Sequence, residues 1–266
     1  MKLSKPQLDL GLVTADAEKA RAFYGDILGL DEEEAKPFGA DALQYRFRVG
    51  NHLIKLMDYQ EKPEQQPSGM YDRVGYRVIA LFFDDLSEIR GRIHDMGRRT
   101  TEPETIVGKT EVSFAKDADG NLLELIGTGD PDVESQGTRI QIGLTVADAE
   151  ASRAFYGKVL GLDEQPEMKM SQGLTRYAFS AGATTLKFWA PFPAPEVGTG
   201  PIGNAVGIRY LTFSVPDLDA HCEDVASRGA KIVLPPSTLP GGTRIAFIED
   251  PDANWIEFVE VAVDQG

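Results

Sequence analysis

Four charged residues stand out in this sequence because each lies inside a short apolar segment. Lys55 lies in IKLMD and Lys187 in LKFWA, while Glu124 lies in LLELI and Glu257 in WIEFV. An isolated charge in such a segment is destabilising unless another group pairs with it. A lysine ammonium can neutralise a carboxylate or stabilise a substrate oxyanion, and a deprotonated lysine can act as a base or Schiff-base nucleophile. These four residues are therefore the candidate catalytic residues.

Two interpretations of these charges remain open. The side chains could simply reach solvent from the edge or rim of a sheet, or they could project into a concavity and line a site. Their occurrence at the same place in two copies of a repeat favours the site. We predict that each lysine pairs with a carboxylate of its own half, Lys55 with Glu124 and Lys187 with Glu257.

The elements that must position these residues are duplicated along the chain. The segment LDLGLVTADAEKARAFYGDILGLDEE from Leu8 matches IQIGLTVADAEASRAFYGKVLGLDEQ from Ile140, and the closing segments DADGNLLEL and DPDANWIEF also match. Such self-similarity indicates repeated structural units. The register predicts a first domain at residues 1–129, a linker at 130–136 and a second domain at 137–266, with one residue inserted after Gly229.

Within each half, a strand–helix–strands order recurs twice, which predicts four similar units and an α+β fold. The first helix is expected to begin at Asp16 or a neighbouring residue and to end at Gly29, and Gly50–Asn51 is expected to form a hairpin turn. The Pro- and Gly-rich segments 59–75 and 191–207 show no periodicity and are predicted to be loops that cover cavities.

The first strand alternates between an apolar face and a small, polar face. Leu8, Leu10 and Leu12 share one face, which suits packing against a helix. The opposite face therefore suits a wet concavity with helices on the outside of the sheet. The predicted substrate-binding residues are Asp9, Tyr45, Gln141, Tyr177, Tyr210 and Trp255.

The amino-acid composition and net charge limit the classes of partner that this protein is expected to bind. The 266 residues include 42 acidic and 27 basic side chains, for a formal net charge of −15. A surface of this charge repels phosphate backbones and anionic membranes, so a small-molecule ligand is expected rather than nucleic acid or membrane. Cys222 is the only cysteine, and no apolar stretch is long enough for a membrane span. We expect a cytoplasmic monomer or homodimer.

The duplicated motifs resemble the vicinal oxygen chelate superfamily, which includes glyoxalases, bleomycin-resistance proteins and extradiol dioxygenases. The resemblance is strongest in DAEKARAFYGDILGL, DAEASRAFYGKVLGL, KDADGNLLEL and EDPDANWIEF, and it covers essentially the whole chain. It implies two tandem domains. In each of them a pair of βαβββ units would form a curved, half-open, barrel-like mixed sheet with helices outside.

The resemblance also implies where a divalent metal would bind. The ligand positions of the family fall on Asp9 and Gln141, on Val78 and Tyr210, on Glu124 and Glu257, and on Lys55 and Lys187. Valine cannot ligate a metal and a protonated lysine has no lone pair. The three histidines, His52, His94 and His221, are expected to face solvent. No metal or other cofactor is favoured, and the fallback ligand set is Asp9, Glu124, Gln141 and Glu257.

Three functions therefore remain open. The first is a metal-independent enzyme of lyase, isomerase or hydrolase type that uses lysine and glutamate for proton transfer or oxyanion stabilisation. The second is a non-catalytic protein that binds or sequesters a small molecule, as bleomycin-resistance proteins do. The third is a metal enzyme with the fallback ligands. Iron-dependent ring cleavage is disfavoured, because it needs two histidines and one carboxylate.

Overall fold

The computed structural model describes residues 1–66, 69–129, 140–170, 173–196 and 200–261; the predicted linker at 130–136 lies outside them. The described residues form four βαβββ units. The elements of the first unit are β1 (Asp9–Val13), α1 (Ala17–Arg21), β2 (Asp31–Phe38), β3 (Ala42–Val49) and β4 (His52–Tyr59). Those of the second are β5 (Gly75–Phe83), α2 (Leu86–Asp95), β6 (Glu104–Val107), β7 (Thr110–Lys116) and β8 (Leu122–Gly127).

The second half repeats this order. The third unit contains β9 (Ile140–Thr145), α3 (Ala149–Ala154), β10 (Asp163–Lys169), β11 (Thr175–Ala181) and β12 (Thr184–Trp189). The fourth contains β13 (Gly207–Ser214), α4 (Leu218–Ser227), β14 (Lys231–Thr238), β15 (Arg244–Glu249) and β16 (Trp255–Glu260). Helices α1 and α3 continue as π-helical segments, Ala22–Ile27 and Phe155–Val159, and a 3₁₀ turn spans Ile202–Asn204.

The first helix begins and ends as its sequence predicts. The Asp16 side chain accepts a hydrogen bond from the backbone N–H of Lys19, which satisfies one of the free donors of the first turn. After the π-helical segment the chain reverses at Gly29, whose φ of +70° is a conformation that favours glycine. The hairpin between β3 and β4 likewise turns at Gly50, with φ of +57°.

The strands form two eight-stranded mixed sheets, which confirms the α+β class and the curved sheets with helices outside. The first sheet has the order β14-β15-β16-β13-β1-β4-β3-β2, and the second has β10-β11-β12-β9-β5-β8-β7-β6. Each sheet therefore combines one unit from each half, whereas we expected the two units of one half to share a sheet. The four inner strands β1, β5, β9 and β13 are equivalent repeats, so their edges can pair across the halves as well as within them.

The main core lies between the sheets and the helices. Leu8, Leu10 and Leu12 are at most 1% exposed and belong to this core, as their alternation predicts. Tyr24 reaches through it to donate a hydrogen bond of 2.7 Å to Asp117, and Tyr156 makes the equivalent bond of 2.9 Å to Asp250. These bonds tie the first helix of each half to the turn before its last strand. In the described part of the chain, every helix is too short or too polar to cross a membrane.

Candidate functional site

The centre of the first sheet holds a buried network of three side chains, Lys55, Thr212 and Glu257. The Lys55 Nζ donates to Thr212 Oγ1 at 2.7 Å and to Glu257 Oε2 at 3.1 Å. The Thr212 hydroxyl in turn donates to the same Glu257 oxygen at 2.5 Å. The Lys55 and Glu257 side chains are 12% and 8% exposed, so water screens their interaction only weakly. We call these three residues the first-sheet centre.

Strand register explains why these residues meet. Strand β1 runs between β4 and β13, with Gly11 opposite Lys55 and Asp9 opposite Thr212. Thr212 is in turn opposite Glu257 on the parallel strand β16. Directly paired residues of neighbouring strands project from the same face of a sheet, so the side chains converge on the concave face.

Asp9 lies beside this centre but is already engaged. Its Oδ1 accepts a hydrogen bond of 2.8 Å from the Leu53 backbone N–H and forms an ion pair of 2.5 Å with Lys5. Asp9 is 6% exposed, so these bonds compensate for the burial of its charge. Its predicted role in substrate binding stays a prediction, and its contacts identify it as a support of the adjoining strand.

Aromatic residues cover the concave face next to the centre. A cluster of buried side chains includes Met57, Tyr210 and Phe247, together with Ile202 from the loop at 191–207; Trp255 packs against it. This part of the concave face is therefore apolar rather than wet, because Ile202 and the large side chains of β13, β15 and β16 line it. We call this cluster the aromatic wall.

Tyr210 sets the shape of this wall. A Cβ atom placed on Gly11 would lie 2.0 Å from the Tyr210 ring, so the ring rests directly on the glycine backbone. The Lys55 Nζ lies 5.4 Å from the centre of the same ring, within the range of a cation–π interaction. Burial, aided by the charge of Glu257, raises the pKa of the Tyr210 hydroxyl well above its usual value. Tyr210 therefore stays neutral at the centre.

One polar atom of the wall has no hydrogen-bond partner among the described residues. The Trp255 Nε1 is buried in the wall without an acceptor. Trp255 lies two residues before Glu257 on β16, and residues two apart project from the same face of a strand. A buried donor of this kind is costly unless an acceptor is supplied, which makes it a candidate donor to a ligand oxygen.

The second sheet contains a simpler version of the same arrangement. Lys187 forms a close ion pair with Glu124, and their side chains are 7% and 17% exposed. Ala80 lies opposite Glu124 and Gln141, at the position that Thr212 occupies in the first sheet. The second-sheet centre therefore has the lysine and the carboxylate but no hydroxyl between them.

Trp189 fills the concave face at this second centre. Its indole N–H donates to the Thr145 hydroxyl at 2.8 Å, and its ring lies 2.7 Å from a Cβ placed on Gly143. Val78, which corresponds to Tyr210, also lies 3.0 Å from the same Cβ position. The indole N–H of Trp189 therefore has an acceptor within the protein, whereas the described residues supply none for the indole N–H of Trp255.

The lysine–glutamate pairs exist, but the predicted partners were wrong. We expected Lys55 with Glu124 and Lys187 with Glu257; the structure pairs Lys55 with Glu257 and Lys187 with Glu124. The partners are exchanged because of the way the strands combine into sheets. Strand β4, which carries the first lysine, shares a sheet with β16, and β12, which carries the second, shares a sheet with β8.

Tyr45 and Tyr177 do not join the other predicted substrate-binding residues. Tyr45 is paired with Leu56, a residue of the main core, so it faces the helices rather than the concave side. The Arg21 guanidinium lies 4.7 Å from its ring, and Arg153 lies 4.9 Å from the ring of Tyr177. Both tyrosines were misplaced because neighbouring strand residues project to opposite faces.

The histidines also differ from expectation. His94 is exposed, but His52 is fully buried, and its Nδ1 lies 2.8 Å from the Leu8 carbonyl oxygen. The His221 ring packs edge-on against Phe258, and burial lowers its pKa. None of the three lies at either centre. Sequence reasoning also missed Thr212, although it lies two residues beyond Tyr210 and therefore on the same face.

The residues present do not fit a divalent metal. At the first-sheet centre the place of a cation is taken by the Lys55 ammonium, which already contacts Glu257 and Thr212. Asp9 is held by Lys5, and the described residues contain no group of three or more His, Cys, Asp or Glu side chains suited to hold an ion. The fallback set Asp9, Glu124, Gln141 and Glu257 is divided between the two sheets, two residues in each.

Comparison with known proteins agrees with this architecture. The family model described as Glyoxalase/Bleomycin resistance protein/Dioxygenase superfamily matches residues 8–125 and 139–258. This chain belongs to that superfamily. Among solved structures, glyoxalase I from Zea mays superposes with a TM-score of 0.77 at 23% identity, covering 95% of this chain and 91% of that one. At this identity the likeness concerns the fold.

Curated relatives carry the name lactoylglutathione lyase. The one from Oryza sativa subsp. japonica is 30% identical over 199 residues, covering 71% of this chain and 66% of the relative. The one from Salmonella typhimurium is 33% identical over 132 residues, covering 46% of this chain and 91% of the relative. The alignment thus spans just under two thirds of the length of the rice protein. The alignment with the bacterial protein includes about half of this chain.

Proposed function

We propose that this chain is a lyase- or isomerase-type enzyme that moves a proton within a small oxo compound, without a metal, at the first-sheet centre. The observation that carries the proposal is the contact of 3.1 Å between the Lys55 ammonium and the Glu257 carboxylate, with the Thr212 hydroxyl bonded to both. A cation, a base and a hydroxyl donor within hydrogen-bond distance of one another are the parts that such a reaction needs.

The chemistry assigns a role to each residue. The Glu257 carboxylate removes the proton from a carbon next to a carbonyl group, and the electron pair moves onto the carbonyl oxygen. Two N–H groups of Lys55 are engaged by Thr212 and Glu257, and the third donates to the oxyanion that forms. Glu257 then returns the proton to the former carbonyl carbon, while the hydroxyl proton of the first carbon moves to the oxyanion, so that a new carbonyl group forms on the first carbon. No atom is gained or lost, so the reaction needs no co-reactant.

Support for the substrate class comes from the wall and the relatives. The Trp255 indole N–H is a buried donor for which the described residues supply no acceptor, and it is suited to a second oxygen of the substrate. The curated relatives are named for lactoylglutathione, a thioester. The first substrate to test is therefore the hemithioacetal of glutathione and a 2-oxoaldehyde, which isomerises to such a thioester.

The two centres differ in a way that supports a single active site. The first-sheet centre has Thr212 and a Trp255 indole donor that lacks an acceptor in the described part of the chain. The second centre has Ala80 in place of Thr212, and the indole N–H of its Trp189 donates to Thr145. We assign catalysis to Lys55 and Glu257, and a structural role to Lys187 and Glu124.

The test is an assay of thioester formation by the full chain with and without a metal chelator. Activity should persist after chelation, fall at least a hundredfold in Lys55→Met and remain within a few-fold in Lys187→Met, the matched control. Activity that is lost on chelation and restored by a divalent metal would contradict metal independence. Equal losses in both lysine variants would contradict the single site.

A second candidate, a protein that binds a small molecule without chemistry, is favoured by the aromatic wall. Phe247 and Trp255 lie 5.2 Å apart between ring centres and Tyr210 adjoins Phe247, so the wall offers aromatic surface to a planar ligand. Saturable binding of the hemithioacetal or of a planar aromatic compound, with unchanged ligand recovered, would favour this candidate over the enzyme.

A further inference from the structure

A second cation lies beside Lys55 on the concave face of the first sheet. Arg46 on β3 lies directly opposite Lys55 on β4, and on its other side it lies opposite Glu33 on β2. Directly paired residues of neighbouring strands project from the same face of a sheet. Arg46 therefore shares the concave face with the first-sheet centre, although it takes no part in the contacts among Lys55, Thr212 and Glu257.

Each of the two cations has a carboxylate of its own, and these carboxylates lie on opposite sides. The Lys55 Nζ lies 3.1 Å from Glu257 Oε2, and the Arg46 Nη2 lies 3.0 Å from Glu33 Oε2. Glu257 belongs to β16 and Glu33 to β2, whereas the cations lie on the adjacent strands β4 and β3 between them. Like charges directly opposite each other are destabilising, so an anion placed between Lys55 and Arg46 would be attracted by both.

The carboxylate of Glu33 is shared between two arginines. Arg48, two residues along β3, forms a close ion pair with Glu33 Oε1, whereas Arg46 contacts Oε2. These three side chains therefore carry one more positive than negative charge. The Arg46 side chain is 17% exposed and that of Arg48 is 49% exposed, so water screens the charge of Arg46 less. A guanidinium has five N–H donors, and in the described part of the chain Glu33 is the only ion-pair partner of Arg46.

The second-sheet centre lacks this cation. Ala178 lies opposite Lys187, at the place that Arg46 has in the repeat, and Gln165 lies opposite Ala178, at the place of Glu33. A group needed only to hold a lysine-bearing strand would be expected at both centres. The arginine and its carboxylate instead accompany the centre to which we assign catalysis, which points to a role towards the substrate.

We infer that Arg46 binds a carboxylate of the substrate, beside the oxyanion that Lys55 holds. This inference rests on the proposed function and narrows its small oxo compound to an oxo acid. Directly paired residues have Cβ atoms about 5 Å apart, so the carboxylate lies within a few bonds of the reacting carbonyl group. A guanidinium binds a carboxylate through two parallel N–H···O bonds and thereby fixes its orientation. Arg46 thus determines specificity, while Glu257 moves the proton.

The test compares hydroxypyruvate with dihydroxyacetone, which has a hydroxymethyl group in place of the carboxylate. Both have a hydroxyl-bearing carbon next to a carbonyl group, so Glu257 can remove a proton from either. Proton NMR of the full chain in D₂O follows the exchange of C–H protons, corrected for the rate without protein. Because the two compounds differ in intrinsic reactivity, the quantity compared between variants is the ratio of their kcat/KM values.

Arg46→Gln should lower this ratio about tenfold, mainly by raising the KM of hydroxypyruvate. The variant is expected to fold because Glu33 keeps its ion pair with Arg48. Arg48→Gln is the matched control: it leaves the Arg46–Glu33 pair in place and should preserve the ratio. An unchanged ratio in Arg46→Gln would overturn the inference and leave the proposed function standing.

Isothermal titration with oxamate separates the two proposals if the protein turns over no oxo compound. Oxamate is a carboxylate with a neighbouring carbonyl group and no C–H bond, so it can bind but cannot react. It should bind the parent protein and Arg48→Gln, and bind Arg46→Gln about tenfold more weakly. That result in an inactive protein would keep the carboxylate site and contradict the proposed enzyme. Equal binding by Arg46→Gln, or no binding by the parent protein, would overturn the inference.

Discussion

Lys55 and Glu257 are 202 residues apart in the chain, yet Lys55 Nζ and Glu257 Oε2 lie 3.1 Å apart in the folded protein. Each belongs to a different half, and each lies in an apolar strand. The contact therefore joins the first and fourth units at the same point where the proposed chemistry takes place.

This contact predicts non-additive substitutions. Lys55→Met or Glu257→Gln alone leaves one charge or its hydrogen bonds uncompensated, which should cost about 3–5 kcal/mol of unfolding free energy. The double variant should lose less than the sum of the singles, with a coupling of about 1–3 kcal/mol. Urea unfolding of the four proteins measures this. The pair Lys55→Met and Glu124→Gln is the control and should be additive, because those residues lie in different sheets.

The Thr212 hydroxyl should matter more than its small size suggests. Thr212→Val keeps the shape but removes the group that bridges Lys55 and Glu257, so turnover should fall at least tenfold with a small change in KM. Ala80→Thr, which places a hydroxyl at the second-sheet centre, should leave turnover unchanged. Steady-state kinetics gives the turnover number and KM of both variants. Full activity of Thr212→Val would show that the Thr212 hydroxyl has no part in the mechanism.

Asp252 should make stability depend on pH. Burial, aided by the charge of Asp250, raises the pKa of Asp252 to about 6. Because the folded protein holds this proton more tightly than the unfolded chain, its contribution is present below about pH 4 and is lost as the pH rises to about 6. Asp252→Asn keeps an acceptor for the Ala147 N–H and should be stabilised relative to the parent protein above pH 6.

The control for this prediction has the opposite sign. Hydrogen bonds from the Ser87 hydroxyl and the Glu88 N–H lower the pKa of Asp85, so its contribution is present above the usual aspartate pKa and is lost as the pH falls. Asp85→Asn should therefore lower stability by a constant amount above about pH 4, and its difference from the parent protein should disappear as the pH falls below that. Urea midpoints between pH 4 and 7 that are parallel for Asp252→Asn and the parent protein would contradict the assignment to Asp252.

Gly11 should not tolerate a methyl group. A Cβ atom there would overlap the Tyr210 ring at 2.0–2.4 Å, so Gly11→Ala should destabilise the protein by about 1–3 kcal/mol. Replacing Tyr210 by alanine in the same chain should remove that additional cost. Gly91→Ala, in a helix with nothing within 4 Å, should be neutral or stabilising. Thermal unfolding compares the four proteins, and an unchanged Gly11→Ala would place the Tyr210 ring elsewhere.

Much of this molecule follows from its sequence. The repeat predicts four units in the same order, the Asp and Gly signals mark the ends of the first helix, and the alternation of Leu8, Leu10 and Leu12 identifies the core face of β1. The charged residues in apolar strands, Lys55, Lys187, Glu124 and Glu257, are visible because an unpaired charge there is costly. Their participation in buried lysine–glutamate pairs could therefore be predicted.

Tertiary structure alone decided which lysine meets which glutamate. The repeats present equivalent strand edges, and the sequence carries no signal for pairing β1 with β13 rather than with β5. The register of β1 on β13 skips Arg209 and that of β5 on β9 skips Arg77, which makes each arginine the extra residue of a β-bulge. These bulges and the place of Ile202 in the aromatic wall were equally hidden, because they depend on how separate segments pack in space. The alternation of residues along a strand predicts which face of the sheet a side chain occupies. It does not predict which strand becomes the neighbour, so the partners of that side chain are fixed only when the two halves pack together.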